Sequence, residues 1–228
     1  MIVTPDQVLA AAKRIRGLTR PTPLVESPIL AEIAEQDLMR RYGAGGDPAP
    51  SSAACPGQPL LPVWLKPENL QIAGSFKVRG AANKVLSLSQ SQLQSGLVAA
   101  SAGNHAQGLA RAARLAGAKA TVVMPETTPK TKVDATRRLG AEIVFWGRSY
   151  DEAEDHAHQL ERQRGLTYVH ASDDPKVVAG QGTVGLEILE ELPDAAQIIV
   201  PAGGGGLISG IAVIVKAINP RIRIVGVQ

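Results

Sequence analysis

From Leu97 to Val227 the chain repeats one pattern, a short apolar run followed by a segment of helix length. The apolar runs are Leu97–Ala100, Ala120–Met124, Ile143–Trp146, Thr167–His170, Ile198–Val200 and Ile222–Val227. Between them lie helical segments from about Asn104 to Ala116, from Thr128-Pro129 to Gly140, from Tyr150 to Arg164, from Asp174-Pro175 to Leu192 and from Gly206 to Ile218. Glycines at 117, 140 and 165 close three of them, as glycine does in the left-handed position after a helix. Apolar strands alternating with helices predict an α/β fold with a parallel sheet, right-handed crossovers and helices on both faces.

The earlier part of the chain reads differently. Thr4-Pro5-Asp6-Gln7 combines an N-cap, a proline at the first helical position and a glutamine at the capping-box position, so a helix should run from here to Gly17. Thr22-Pro23-Leu24 reads as an extended turn, and Ser27-Pro28 opens a second helix reaching about Arg41. From Tyr42 to Pro59, Gly, Ala, Pro and Ser dominate, which predicts a mobile surface insertion. Its Cys55 is the chain's single cysteine, read as incidental; one thiol excludes an intrachain disulfide and fits a reducing compartment. The net charge of +3 comes from scattered residues such as Arg111, Lys119 and Lys132, with no basic stripe carrying interleaved aromatics, which argues against nucleic acid. No basic-then-apolar start and no run of membrane-spanning length is present, so the expected location is cytoplasmic, off the membrane.

Three stretches carry chemistry. After an apolar strand at Pro62–Leu65, Gly74-Ser75-Phe76-Lys77-Val78-Arg79-Gly80-Ala81 opens a helix expected from Phe76 to Leu88. An ammonium in a first helical turn faces the positive end of the helix dipole, and partial burial disfavours its charged form further. Lys77 therefore has the setting of a nucleophilic amine, a Schiff-base lysine, although the residues alone also allow a solvated helix lysine. The turn Ser101-Ala102-Gly103-Asn104-His105-Ala106 offers free backbone N–H groups to a carboxylate, and Asn104 offers a donor and an acceptor to a ligand hydroxyl. His105 reads there as a polar surface residue. The turn Pro201-Ala202-Gly203-Gly204-Gly205-Gly206-Leu207 lets backbone approach a phosphate at a helix N-terminus. A dinucleotide fingerprint fails because Ser209 or Ile208 stands where the third glycine belongs, no Gly-Lys-Ser/Thr follows, and no metal motif is evident. A lysine amine, a carboxylate turn and a monophosphate cradle together describe a pyridoxal phosphate enzyme acting on amino acids.

The ordered segments Lys66–Gln71, Gly74–Ala81, Ser101–Gln107, Ala179–Thr183 and Gly203–Leu207 resemble threonine dehydratase (threonine ammonia-lyase), along nearly the whole chain apart from 42–59. That resemblance implies the tryptophan-synthase-β-like fold, fold type II of the pyridoxal phosphate enzymes. It implies a larger cofactor-binding domain from residues 1–95 and 174–228, and a small mobile domain at 96–173. Lys77 would bind the cofactor and take the α-proton, Phe76 would pack beside the ring, and Asn104 would bond the ring hydroxyl. Gly203, Gly204, Gly205, Gly206 and Leu207 would cradle the phosphate. Ser101, Ala102, Gly103, Asn104 and His105 would receive the substrate carboxylate. The implied reaction turns L-threonine into 2-oxobutanoate and ammonia, and L-serine into pyruvate, a step towards isoleucine or in amino-acid catabolism.

Neighbouring families differ from this chain at single residues. Cysteine synthases carry Lys-Asp-Arg where Lys77-Val78-Arg79 stands here. Serine racemases place a second proton-transferring serine where this chain has Ala102, and metal-binding racemases an acid at the position of Gln228; a methyl group cannot shuttle a proton. A non-catalytic cofactor-binding protein would leave Lys77 unused. Against the family pattern the chain looks C-terminally incomplete, without the partner of the pyridine nitrogen. The expectation is weak cofactor binding by these residues alone, an open sheet edge, and a homo-oligomer in the full-length form.

Overall fold

The computed structural model describes residues 2–42 and 62–228, so Cys55 and almost all of the 42–59 stretch lie outside the described residues. The chain forms two compact units, one from Thr22–Pro67 and one from Met1–Pro21 with Glu68–Gln228. In the smaller unit β1 (Val25–Glu26) pairs antiparallel with β2 (Trp64–Leu65), Val25 opposite Leu65, and α2 spans Pro28–Tyr42. The sequence pattern gave β2 but not β1, a two-residue strand too short for any period to register.

The larger unit begins with α1 (Pro5–Ile15), where the Thr4 N–H donates to Gln7 Oε1 at 3.1 Å. A 3-10 turn at Glu68–Leu70 then leads to α3 (Lys77–Val85), α4 (Gln90–Ser95), β3 (Leu97–Ala100), α5 (Asn104–Leu115), β4 (Ala120–Met124), α6 (Lys130–Arg138) and β5 (Glu142–Phe145). The chain continues through α7 (Tyr150–Arg164), β6 (Thr167–Tyr168), α8 (Pro175–Glu191), β7 (Gln197–Pro201), α9 (Gly206–Ile218) and β8 (Arg223–Val227). The helix expected to run to Leu88 stops at Val85, and α4 follows as a separate turn and a half. Ser89 causes the break: its hydroxyl accepts from the Gln92 N–H at 3.3 Å and caps a new helix in place of extending the old one.

The strands form two parallel sheets, not one. The first has the order β5-β4-β3-β6, and the second pairs β7 with β8 from Gln197–Arg223 to Pro201–Val227. In the first sheet β3 and β4 are buried along their whole length. Leu97, Ala99, Val122 and Met124 face a cluster with Leu109 and Ala113 of α5, while Val98, Ala100 and Val123 face Ala153, Ala157 and Leu160 of α7. This is the two-sided cover that a parallel sheet needs, each fully buried Leu or Val contributing about 1.5–3 kcal/mol. In the second sheet Ile198 and Val200 are buried beneath α8 and α9, whereas Ile199 is 63% exposed. Among the described residues no helix is long and apolar enough to cross a membrane.

What positions the site is the crossing of α3 over α8. A Cβ at Gly180 would lie 2.6 Å from Gly80 Cα, so the two backbones touch and only glycine fits. Beside that crossing Arg79, with no exposed surface, holds two carboxylates: Nε and Nη2 donate to Glu68 at 2.7 Å each, and Nη1 and Nη2 donate to Glu187 at 2.5 and 2.9 Å. Burial by itself would lower the guanidinium pKa, but the hydrogen bonds from Glu68 and Glu187 outweigh it and the pKa is raised. Removing one partner of such a buried cluster costs about 3–5 kcal/mol.

Candidate active site

Gly74, at φ +70°, turns the chain so that α3 starts with Lys77 directly after the Phe76 cap. The Lys77 stem is half-buried, and its Nζ donates to the Ala171 carbonyl at 2.7 Å, 5.4 Å from the centre of the Phe76 ring. Burial lowers its pKa below the ordinary lysine value. Ala171 lies in the link between β6 and α8, where Asp174 caps α8 by accepting from the Lys176 and Val177 N–H groups at 2.7 and 3.2 Å.

The tetraglycine bend sits against the same link. Gly205 adopts the left-handed conformation (φ +79°) and caps α9, so the free N–H groups of that helix open at the bend. A Cβ at Gly204 would lie 2.4 Å from Ser172 Oγ, and one at Gly206 would lie 2.7 Å from the Ser172 carbonyl oxygen. Around Gly203, by contrast, nothing stands within 4 Å of such a carbon. Phe76, Lys77, Gly203, Gly204, Gly205, Gly206 and Leu207 line one cavity of about 400 Å³. That volume lies within the range of ordinary small-molecule sites.

The Ser101–His105 turn does not line that cavity. Ser101 is buried, its hydroxyl accepting from the Gly103 and Ala106 N–H groups at 3.2 and 3.1 Å, which shapes the start of α5. Ala102 and Gly103 are half-buried, and Asn104 is exposed with its Oδ1 accepting from Lys132 Nζ at 3.2 Å. His105 departs from its expected place on the surface. It is only 2% exposed, its Nε2 is 2.9 Å from the Val169 carbonyl, and its Nδ1 has no partner among the described residues. Burial depresses its pKa to about 4, the Val169 hydrogen bond opposing the shift and the charges of Lys77 and His170 adding to it. The imidazole is therefore neutral, donating through Nε2. The surface reading failed because α5 packs its first turn inward against the end of β6.

Several lining residues escaped the sequence reading. Ala171 and Ser172 come from an ordinary polar link, and only the packing of the glycines against them reveals their position. Gln181 also lines the cavity while being 1% exposed; its signal was a lone amide between Gly180 and Gly182. These features fit pyridoxal phosphate: a glycine bend that opens the free N–H groups of α9 onto the cavity, an amine of lowered pKa on the same cavity, and the Gln181 Nε2 buried without a partner among the described residues.

Comparison with known proteins points the same way. Residues 47–228 match the pyridoxal-phosphate dependent enzyme family. An L-threonine ammonia-lyase of Thermotoga maritima is 42% identical over 227 residues, which cover 100% of this chain and 50% of that protein. The structure of maize serine racemase superimposes with a TM-score of 0.83 at 33% identity, covering 100% of this chain and 62% of that one. The processed form of threonine deaminase isoform 2 from Solanum lycopersicum gives a TM-score of 0.76 at 38% identity, covering 97% and 59%. The chain spans about half the length of the curated relatives it matches.

Proposed function

The chain belongs to the pyridoxal-phosphate dependent enzyme family, and from that premise we propose that it carries the cofactor-binding residues of a threonine ammonia-lyase. The reaction converts L-threonine to 2-oxobutanoate and ammonia, and L-serine to pyruvate. One observation carries this reading: the Lys77 amine and the Gly203–Gly206 bend line a single cavity. The N–H groups of the bend and of the first turn of α9 hold the phosphate, and Phe76 packs against the ring. Bound pyridoxal phosphate supplies an electron sink for negative charge developing on the substrate α-carbon.

This chain's residues supply the rest. Desolvation lowers the Lys77 pKa, which makes the amine easier to free as a base, and Nζ takes the α-proton. The Ala171 carbonyl holds that amine when it is not engaged. The α5 N-terminus, with Ser101, Ala102, Gly103, Asn104 and His105, receives the substrate carboxylate. For this the 96–173 segment must move against the glycine bend as a small domain. Two facts support that division: all four strands of the first sheet fall within 96–173, and both strands of the second fall outside it. Closure then excludes water from the reacting centre.

A racemase is the second reading, favoured by the maize structure. It requires a proton donor on the face of the substrate opposite Lys77, and the methyl of Ala102 offers none. Keto-acid release from L-threonine, L-serine and D-serine, measured with Lys77→Ala as control, separates the two. Threonine-dependent 2-oxobutanoate that vanishes in the variant supports the lyase; interconversion of serine enantiomers without keto acid overturns it.

A further inference from the structure

Gln181 is one of the buried polar side chains that lack a complete set of partners among the described residues, and it lines the Lys77 cavity. Its amide orientation is fixed from one side, because the Gly80 N–H donates to Oε1 at 3.1 Å. The NH2 end has no acceptor among the described residues, on a residue 1% exposed that lines the Lys77 cavity. A buried, unsatisfied donor costs about 1–3 kcal/mol, so its retention calls for an acceptor that arrives with a ligand. The amide packs against α3 at Gly80, where a Cβ would lie 2.6 Å from Nε2.

The surroundings say which acceptor. The next residue, Gly182, meets α9 backbone to backbone: a Cβ there would lie 2.7 Å from the Gly210 carbonyl oxygen. Gln181 itself lines the same cavity as Gly203–Gly206, the bend at which α9 begins and its free N–H groups gather. A neutral NH2 next to a helix N-terminus and a glycine cradle complements a phosphate oxygen. Such a donor also keeps its hydrogen-bonding capacity whatever the pH.

We infer that Gln181 is a phosphate-binding residue, its amide NH2 donating to an oxygen of the anion held on the Gly203–Gly206 bend. The inference rests on the cofactor reading above but can fail separately from it. The test compares the wild-type chain with Q181E, which keeps the Oε1 acceptor for the Gly80 N–H and loses the donor, and with Q181M, which is similar in volume and neutral. Inorganic phosphate is titrated by calorimetry, and pyridoxal phosphate and unphosphorylated pyridoxal by absorbance, with thermal melts to establish that each variant is folded. The expected result is a loss of about tenfold in phosphate and pyridoxal phosphate affinity for Q181M, a larger loss for Q181E from charge repulsion, and unchanged pyridoxal affinity. Equal phosphate affinity in the wild type and Q181E, a parallel loss for pyridoxal, or no phosphate binding by the wild type overturns the inference. Should Q181M unfold, the Q181E comparison decides alone. If phosphate responds as expected but pyridoxal phosphate never engages Lys77, judged against Lys77→Ala, the cofactor reading fails and the phosphate assignment stands.

Discussion

The two strand-to-helix turns of the site are built on different principles. At Gly203–Leu207 the backbone makes the shape, wedged against Ser172 at distances that leave no space for a side chain at 204 or 206. At Ser101–His105 side chains make it: the Ser101 hydroxyl ties the turn, His105 is pinned to the Val169 carbonyl, and Asn104 is engaged with Lys132. The first turn is set by packing and stands ready for a ligand. In the second, the role proposed for Asn104 would require it to exchange Lys132 for the ligand, so on that reading this half is completed by binding. A site can thus hold its cofactor tail before it is able to hold its substrate.

Substitutions can break this contrast, beginning with the residue on which the chemistry turns. Lys77→Ala should lower keto-acid release by about 10³-fold while leaving the melting curve nearly unchanged, read by a coupled assay and by circular dichroism. Arg79→Ala should instead act on stability, by about 3–5 kcal/mol in denaturant titration, because Glu68 and Glu187 lose the cation they surround. Gly204→Ala should cost about 1–3 kcal/mol and weaken phosphate binding. Gly203→Ala, with open space around it, should stay within about 0.5 kcal/mol of wild type. Equal effects at the two glycines would remove the case for a packed cradle.

The side-chain half should answer to acid. His105 has a folded pKa of about 4 against an ordinary 6.5, so between those values the unfolded chain binds its proton while the folded chain does not. Stability from this residue is therefore present above about pH 6.5 and falls as the pH drops towards 4, and His105→Phe should flatten that slope in pH-dependent melts. Smallest of all, Asn104→Ala should weaken pyridoxal phosphate by roughly fivefold with little change in stability, since its side chain is exposed.

Much of this was legible in the residues. The alternation of apolar runs fixes β3, β4, β7 and β8 and the helices between them, since strands buried on one face or both leave period and length signals of their own. Lys77 and the glycines could be found because position and composition carry their meaning. The division of the strands between two sheets could not be read, since parallel pairing partners leave no mark in local sequence. Neither could the burial of His105, which depends on how the first turn of α5 meets Val169, nor the service of Ser172, whose importance lies in what presses on it. Gln181 had a faint signal, an amide flanked by two glycines, and its unmet hydrogen bond appears only once α3 is seen lying across it.

The link from Val169 to Asp174 serves four clients within six positions: His105 through one carbonyl, Lys77 through another, the glycine bend through Ser172, and α8 through its cap. Each client is addressed by backbone or by a small group, so spacing matters there more than chemistry. Adding or deleting a single residue would shift all four attachments out of step together, whereas exchanging Ala171 for another compact residue keeps its carbonyl in place. The stretch behaves as a ruler whose graduations are fixed, with His170 Nδ1 bracing it by accepting from the Ser172 and Asp173 N–H groups.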